Sequence, residues 1–262
     1  MSGMFRRRRR ERIRQQLFPP QWLDVLDRNF PRYRRMPPED QAELRGLIQI
    51  FLAEKRFEGA GGLELTDEIR VTVAAQACLL LLHRETDVYP GVDSVIVYPD
   101  EYVATARARD DSGIVEERGQ VRLGETAGRG AVVIAWDAAA RGAVDVRGCR
   151  NVVFHEFAHE LDAEDGTFNG APVLPDGSMY GAWARVLGDE YRELQARVAR
   201  HLPTDIHPYG ATNPAEFFAV ATECFFQQPA GLRARHPELY EQLVTFYRQD
   251  PARASDPSRP MT

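Results

Sequence analysis

The alternation of apolar and polar residues divides the chain into a helical N-terminal part and a mixed remainder. Through residues 39–57 apolar side chains recur every three or four positions, which is the spacing of an α-helix with one buried face. Further segments of this kind lie at Gln21–Asn29 and at Thr66–Arg84, where Thr66 and the acidic residues after it form a typical helix start. The pattern therefore predicts a helical part over about residues 19–88.

After Pro90 the pattern changes to short runs that are rich in β-branched residues and separated by turn residues. The predicted strands are Ser94–Tyr98, Gly119–Leu123 and Ala131–Trp136. They predict a small mixed or antiparallel sheet. The last strand precedes the helix predicted from Asn151, so it is a candidate edge strand for pairing with another extended backbone, and a central strand is the alternative.

Helical patterns return in the C-terminal half of the chain. They begin at Asn151 and cover Tyr180–His201, Pro214–Gln227 and Pro237–Arg248. The whole arrangement predicts a mainly helical α+β protein with one domain over residues 19–250. The tail at residues 251–262, rich in Pro, Ser and Arg, is predicted to be disordered.

Charge is distributed unevenly along the chain. The formal net charge of −6 argues against a surface built for nucleic acid. However, seven of the nine residues from Arg6 to Arg14 are arginine. We interpret residues 1–18 as a basic, flexible arm; contact with anionic lipid, nucleic acid or a partner protein is the alternative, and direct nucleic-acid binding is not expected.

The sequence predicts a cytoplasmic protein. The arginine run is followed by Gln15, Gln16, Pro19 and Pro20, where a signal peptide needs roughly 7–15 apolar residues. The most apolar run, Val71–Leu82, is shorter than the roughly 20 residues that span a bilayer. The three cysteines lie far apart in the sequence, so we expect reduced, buried thiols.

The candidate chemistry begins in the stretch "NVVFHEFAHELD", which places His155 and His159 four residues apart. If Asn151 caps a helix, both imidazoles lie on one face and can reach a single metal ion. Glu156 is displaced by about 100° around the axis, close enough to act on a metal-bound water without ligating the metal. The stretch predicts half of a zinc site, and a chance pattern on an amphipathic helix is the alternative.

Catalytic zinc usually takes three protein ligands, and the sequence offers two sources for the third. Asp165 lies six residues after His159, which is the spacing of the third ligand in the H-E-x-x-H-x-x-G-x-x-H motif. However, Asp162 stands where that motif has the glycine that turns the chain. The other source is Glu216, in the first turn of an apolar helix that Asn213 can cap. A surface glutamate on an ordinary core helix is the alternative for this residue.

Other polar residues near these motifs allow weaker predictions. Asp162 could orient the imidazole of His159, with an exposed acidic helix end as the alternative. Histidines 201, 207 and 236 have no ligand spacing to one another, so each is predicted to be a surface or loop residue.

The pair of motifs "HEFAHELD" and "YGATNPAEFFA" resembles the gluzincin metallopeptidases, and specifically the Mlc titration factor A family. The stretches "GGLELTDEIRVTVAAQACLLLL", "YPDEYV" and "WDAAARGA" extend that resemblance over most of the chain. The catalytic motifs are also similar to those of anthrax lethal factor protease. The resemblance implies a zincin-like fold in which the HExxH helix and a second helix supply the ligands.

The resemblance also implies a role for each site residue. His155, His159 and Glu216 are the implied zinc ligands, Glu156 is the implied general base, and Tyr209 faces the zinc across the cleft. Where lethal factor has a second glutamate, this sequence has Val220. A supporting role behind the ligands is then either absent or carried by Glu223.

Two classes of function follow from the resemblance. The first is zinc-dependent hydrolysis of peptide bonds, aminopeptidase-like on short substrates. The second is binding of the glucose-responsive repressor Mlc, so that it leaves its DNA; this needs a protein-binding surface and no catalysis. A zinc-stabilised or latent protein that acts as a repressor-binding module is therefore the alternative to a peptidase.

Overall fold

The computed structural model describes residues 3–85, 87–100, 130–145 and 148–254. The chain divides into two compact units, Met1–Leu79 with Asp87–Val144 and Leu80–Thr86 with Asp145–Thr262. Each unit has its own set of buried apolar side chains, and the single domain over residues 19–250 stays a prediction. Among the described residues, no helix combines the length and the apolar character needed to cross a membrane.

The first unit combines helices with a small sheet. Its helices are α1 (Gly3–Arg14), α2 (Pro20–Asn29), α3 (Pro38–Glu54), α4 (Asp67–Leu79) and α5 (Trp136–Val144), and its strands are β1 (Arg56–Gly59), β2 (Ser94–Tyr98) and β3 (Ala131–Ala135). The mainly helical character agrees with the prediction. Strand β1 and helix α1 were not predicted.

The described strands form a parallel sheet in the order β1-β2-β3. Val95 of β2 lies opposite Phe57 on one side and Val132 on the other. The predicted mixed or antiparallel character is corrected for these strands, because α4 follows β1 and provides the crossover that a parallel partner requires. The strand predicted at residues 119–123 lies outside the described residues. β3 is the terminal strand of the described order.

The arginine-rich segment is a helix rather than the predicted flexible arm. Ile13 of α1 is buried, and the side chain of Arg14 lies over Gly46 of α3. Arg10 donates to both carboxylate oxygens of Glu54, at 2.9 and 2.6 Å, and to Asp87. Its hydrogen bonds hold the pKa of Glu54 below the usual range, against the effect of burial. These paired, charge-assisted contacts fix α1 against α3.

The second unit is helical in its described part. Its α-helices are α6 (Val152–Asp162), α7 (Tyr180–Ala199), α8 (Pro214–Gln227), α9 (Pro229–Arg235), α10 (Pro237–Tyr247) and α11 (Pro251–Ala254). Short 3₁₀ turns lie at Ala163–Asp165, Gly177–Met179 and Pro208–Ala211. The predicted disordered tail therefore begins with a helical turn, and its residues 255–262 lie outside the described residues.

Helix α8 forms the centre of the second unit. Every residue from Ala215 to Gln227 is buried. Phe225 stacks on Tyr247 of α10 with ring centroids 5.5 Å apart, and Phe226 meets the same tyrosine edge-on at 5.0 Å. Such aromatic packing buries a large apolar area on this helix. Any carboxylate on α8 is consequently held in the interior, where it needs a positively charged or hydrogen-bonding partner.

Candidate metal centre

The first half of the site is built on α6. Asn151 caps this helix, because its side-chain oxygen accepts a hydrogen bond from the backbone nitrogen of Phe154 at 2.9 Å. Phe154, Phe157 and other apolar residues bury one face of α6. His155 and His159 lie half-buried on an adjoining face, one turn apart. A local capping signal and the apolar pattern thus orient both imidazoles in the same direction.

The second half of the site comes from the start of α8. Asn213 caps this helix by accepting from the backbone nitrogen of Glu216 at 2.9 Å, and Pro214 occupies the first helical position. Glu216 is only 3% exposed. The cap therefore fixes the backbone from which the Glu216 carboxylate projects into the interior.

The two halves converge on one point. The Nε2 atoms of His155 and His159 lie 3.2 Å apart. Oε2 of Glu216 is 3.1 Å from Nε2 of His155 and 3.4 Å from Nε2 of His159. Asp165, the other candidate third ligand, is exposed instead and accepts from the backbone nitrogen and hydroxyl of Thr167. Of the two candidates in the sequence, only Glu216 is brought to the histidines.

The separations fit a tetrahedral metal ion. Ligand atoms placed about 2.0–2.1 Å from a tetrahedral zinc are about 3.3–3.4 Å from one another. The three measured separations of 3.1, 3.2 and 3.4 Å lie close to that distance between ligand atoms. Two imidazole nitrogens and one carboxylate oxygen are also the ligand types that zinc accepts. The residues present thus fit the metal that the sequence predicted.

Electrostatics indicate the same requirement for a cation. Burial lowers the pKa of His155, but its hydrogen bonds with Glu216 and Glu223 outweigh that effect and raise the pKa to about 10. Burial raises the pKa of Glu216, but its hydrogen bonds with both histidines outweigh that effect and lower the pKa to about 2. In the metal-free chain a proton on His155 thus supplies the positive charge. A metal ion can take the place of that proton.

Glu223 lies behind His155, on the side away from the ligand cluster. Its Oε1 accepts from Nδ1 of His155 at 2.8 Å, and its Oε2 accepts from the backbone nitrogen of Asn151. Because Nδ1 keeps its proton against Glu223, loss of the second proton from Nε2 leaves the Nε2 lone pair facing Glu216 and His159, where a metal ion would bind. This role was only weakly indicated before the structure, although Glu216 and Glu223 are seven residues apart and share a helix face.

Asp162 is buried, which excludes the predicted alternative of an exposed helix end. Its Oδ2 accepts from the backbone nitrogen of Gly170 at 2.9 Å, and burial raises its pKa. Within the described part of the chain, neither its Oδ1 nor Nδ1 of His159 has a hydrogen-bond partner. Asp162 therefore holds the loop after α6 in place, and a direct bond to His159 is not formed.

Glu156 and Tyr209 lie close to the cluster. Glu156 is half-buried on α6, and burial raises its pKa above the ordinary value for glutamate. Tyr209 lies in the 3₁₀ turn before α8, with its ring centroid 6.0 Å from that of His155. His207 caps that turn by accepting from the backbone nitrogen of Tyr209 at 3.2 Å. The turn places an aromatic residue beside the ligand cluster.

The remaining histidines lie apart from the cluster. His201 is exposed, whereas His236 is half-buried and pairs through Nδ1 with Glu190 at 2.7 Å. That ion pair raises the pKa of His236 against the effect of burial. The cluster of His155, His159 and Glu216 is the group of possible metal ligands found among the described residues.

An HExxH helix whose histidines converge with a glutamate from a second helix is a metal-binding arrangement of metallopeptidases. The chain belongs to the glucose-regulated metallo-peptidase M90 family, whose model matches residues 4–248. The match spans both compact units.

Individual relatives are similar over nearly the same length. The chain is 40% identical over 244 residues to an uncharacterised protein of Synechocystis sp., covering 93% of this chain and 89% of that protein. It is 33% identical over 225 residues to Mlc titration factor A of Klebsiella pneumoniae, covering 85% and 84% of the two chains. The corresponding protein of Escherichia fergusonii is 31% identical over 235 residues, with 88% and 87% covered. The predicted resemblance to the Mlc titration factor A family is confirmed.

Proposed function

We propose that this protein is a zinc-dependent peptidase of the gluzincin type. The convergence of His155, His159 and Glu216 is the observation that carries the proposal, because these three atoms have the separations and the chemistry of a tetrahedral zinc site. Membership of a metallo-peptidase family supports it. In the proposal these three residues hold the metal, and Glu223 orients His155 from behind.

The proposed mechanism uses the residues around the cluster. When bound there, zinc supplies a Lewis acid for the scissile carbonyl and lowers the pKa of water to roughly 7. A carboxylate oxygen of Glu156 accepts the proton of the attacking water and passes it to the leaving amine. Its raised pKa suits both steps, since the carboxylate must first accept a proton and then hold it. The hydroxyl of Tyr209 donates to the oxyanion that develops on the carbonyl oxygen.

For the substrate we propose short peptides cleaved in an aminopeptidase-like manner in the cytoplasm. The support is the relationship to proteins of the Mlc titration factor A family, for which the sequence resemblance implied this activity.

A second candidate function is binding of the repressor Mlc or of an analogous regulator. The name Mlc titration factor A, carried by relatives that align over most of the chain, favours it. The two functions are compatible in one protein. If the chain only bound a partner, neither Glu156 nor Tyr209 would be needed beside the cluster, so their presence there favours a peptidase.

The decisive experiment compares zinc-loaded wild type with Glu156→Gln on a panel of aminoacyl and peptide chromogenic substrates. We expect hydrolysis by the wild type, none by Glu156→Gln, and equal metal content in both. Glu216→Ala should lose metal to a competing chelator. Glu238→Gln, which alters an exposed glutamate on α10, is the control and should retain both properties.

Metal-loaded wild type without activity on any substrate would contradict the peptidase proposal. Binding of purified Mlc by that same preparation would then favour the second candidate. If Glu216→Ala retained stoichiometric zinc under the chelator, the ligand assignment itself would be wrong.

A further inference from the structure

Helix α1 has an inner face whose charges are balanced within the first unit. Arg10 forms ion pairs with Glu54 and Asp87, and Arg6 pairs with Asp87 at 2.6 Å. The buried side chain of Ile13 lies on the same side of the helix, three residues after Arg10 and seven after Arg6. Because these contacts hold α1 in place, the orientation of its outer face is also fixed.

The outer face of α1 carries positive charge that the protein leaves unpaired. Arg7, Arg8 and Arg12 are exposed, and none of the three forms an ion pair with any residue that the structure describes. At about 100° per residue, all three side chains point away from the inner face. Glu11 lies on the outer face as well and accepts a hydrogen bond from the side chain of Gln15 at 3.2 Å. Three arginines and one glutamate leave this face with a formal charge of +2.

Two large apolar side chains lie at the N-terminal end of the same face. Met4 is 64% exposed and Phe5 is 67% exposed. Met4 lies four residues before Arg8 and Phe5 lies three before it, so both are neighbours of that arginine on the helix surface. Large apolar side chains are disfavoured in water and gain free energy on transfer to an apolar environment. The outer face thus combines unpaired arginines with apolar residues that have no cover.

We propose that the outer face of α1, formed by Met4, Phe5, Arg7, Arg8 and Arg12, docks on the surface of a membrane that contains anionic lipids. The arginines bind the phosphate groups of the lipids, and Met4 and Phe5 insert at the boundary between headgroups and acyl chains. The net charge of −6 on the whole chain does not prevent this contact, because salt screens charges beyond about 10 Å. No residue of the candidate metal centre takes part, so the docking is independent of the proposed peptidase activity.

The size and the chemistry of this face favour a membrane over a macromolecular partner. A helix of 12 residues is about 18 Å long and about 10 Å wide, so one face presents about 200 Å². A stable protein partner needs about 800 Å² on each side. A lipid surface has no such requirement, because each side chain inserts among separate lipid molecules. Nucleic acid would pair with the arginines through its phosphates but would leave Met4 without an apolar environment.

The test is co-sedimentation of the purified full chain with lipid vesicles, with any affinity tag at the C-terminus so that α1 stays unmodified. One set of vesicles is phosphatidylcholine alone, and the other is an equal mixture of phosphatidylcholine and phosphatidylglycerol. We expect binding to the mixed vesicles only, and we expect it to weaken as salt is added, because salt screens the attraction to the headgroups. Binding to neither kind of vesicle, or to both kinds equally, would overturn the proposal.

Two combined variants separate the charged and the apolar contributions. The triple variant Arg7→Gln, Arg8→Gln and Arg12→Gln should bind the mixed vesicles about 100-fold more weakly, since each basic residue near an anionic surface contributes about fivefold. The double variant Met4→Ser and Phe5→Ser should bind about tenfold more weakly and keep the salt dependence of the wild type. Circular dichroism of each variant checks that its helices form.

The matched control removes the same number of charges from another surface. It carries Arg192→Gln, Arg200→Gln and Arg233→Gln, which alter three exposed arginines of the second unit, and should bind the mixed vesicles like the wild type. Equal losses in the two triple variants would reveal a general effect of charge and contradict the assignment to α1. Tighter binding to a mixed-sequence RNA than to the mixed vesicles, unaffected by the double serine variant, would assign the face to nucleic acid and overturn the proposal. The comparison of the two vesicles needs only the wild type, so it stands even if a variant fails to fold.

Discussion

Replacing Glu223 by glutamine should weaken metal binding although every metal ligand stays in place. Glu223 is buried, and each of its two oxygens accepts one hydrogen bond, from His155 Nδ1 at 2.8 Å and from the backbone nitrogen of Asn151. Glutamine has the same shape but only one acceptor oxygen. Its amide group must then face one of the two donors, and that donor loses its partner.

The size of the effect follows from this single lost contact. A buried donor without an acceptor costs about 1–3 kcal/mol. If Nδ1 of His155 is the donor affected, the imidazole can move its proton to Nε2, the atom that would otherwise bind the metal. Residues that support a metal ligand in this way typically change metal affinity by about 10- to 100-fold, or about 1.4–2.7 kcal/mol. We expect a loss in that range for Glu223→Gln.

The affinity is measured by competition for zinc with a chromogenic chelator. Thermal unfolding of both proteins in excess EDTA separates a loss of metal affinity from a loss of metal-free stability. Glu238→Gln on α10 is the matched control, because its side chain is 66% exposed. A Glu223→Gln affinity within twofold of the wild type would refute the role of Glu223 in holding the His155 imidazole.

Three further predictions concern protonation and packing. Because the pKa of His155 is raised to about 10, its contribution to metal-free stability is complete below its unfolded pKa near 6.5 and is lost as the pH rises to about 10. Denaturant titrations across this pH range should show the decline in the free energy of unfolding. Calorimetry in two buffers at pH 8 should detect about one proton released per metal ion bound. Gly170→Ala should lower Tm more than Gly166→Ala, since both glycines have positive φ but only at Gly170 would a Cβ meet a backbone atom, the carbonyl oxygen of Pro214, at 2.4 Å; equal melting temperatures would contradict this. Arg10→Gln should release α1, which limited proteolysis would show as faster cleavage within that helix.

Sequence predicted best those helices whose ends are set by local chemistry. The helix predicted at Pro214–Gln227 has those bounds in the structure, because Asn213 and Pro214 form its start by themselves. The helix predicted over residues 39–57 ends earlier, at Glu54, and β1 follows. Only the pairing of β1 with β2, some 40 residues later, makes Arg56–Gly59 a strand, and helical periodicity contains no information about that partner.

The same distinction explains the arginine-rich segment. A run of like charges indicates a solvated arm when it is considered alone. In the structure Arg10 has acidic partners at Glu54 and Asp87, which lie 44 and 77 positions away in the sequence. The segment is therefore ordered by residues that no local pattern can identify as its partners.

The candidate site combines both kinds of information. One turn of α6 fixes the spacing of His155 and His159, so this half was predictable from sequence alone, whereas the choice of Glu216 over Asp165 depended on family resemblance. A stronger physical signal was present on α8, which has only two carboxylates, seven residues apart, in an otherwise apolar sequence. Two buried charges on one helix face each require a partner. Here Glu216 meets the ligand nitrogens, and Glu223 supports His155 from behind. His155 is therefore a partner of both buried carboxylates. The burial of α8 and the geometry of the site thus depend on each other.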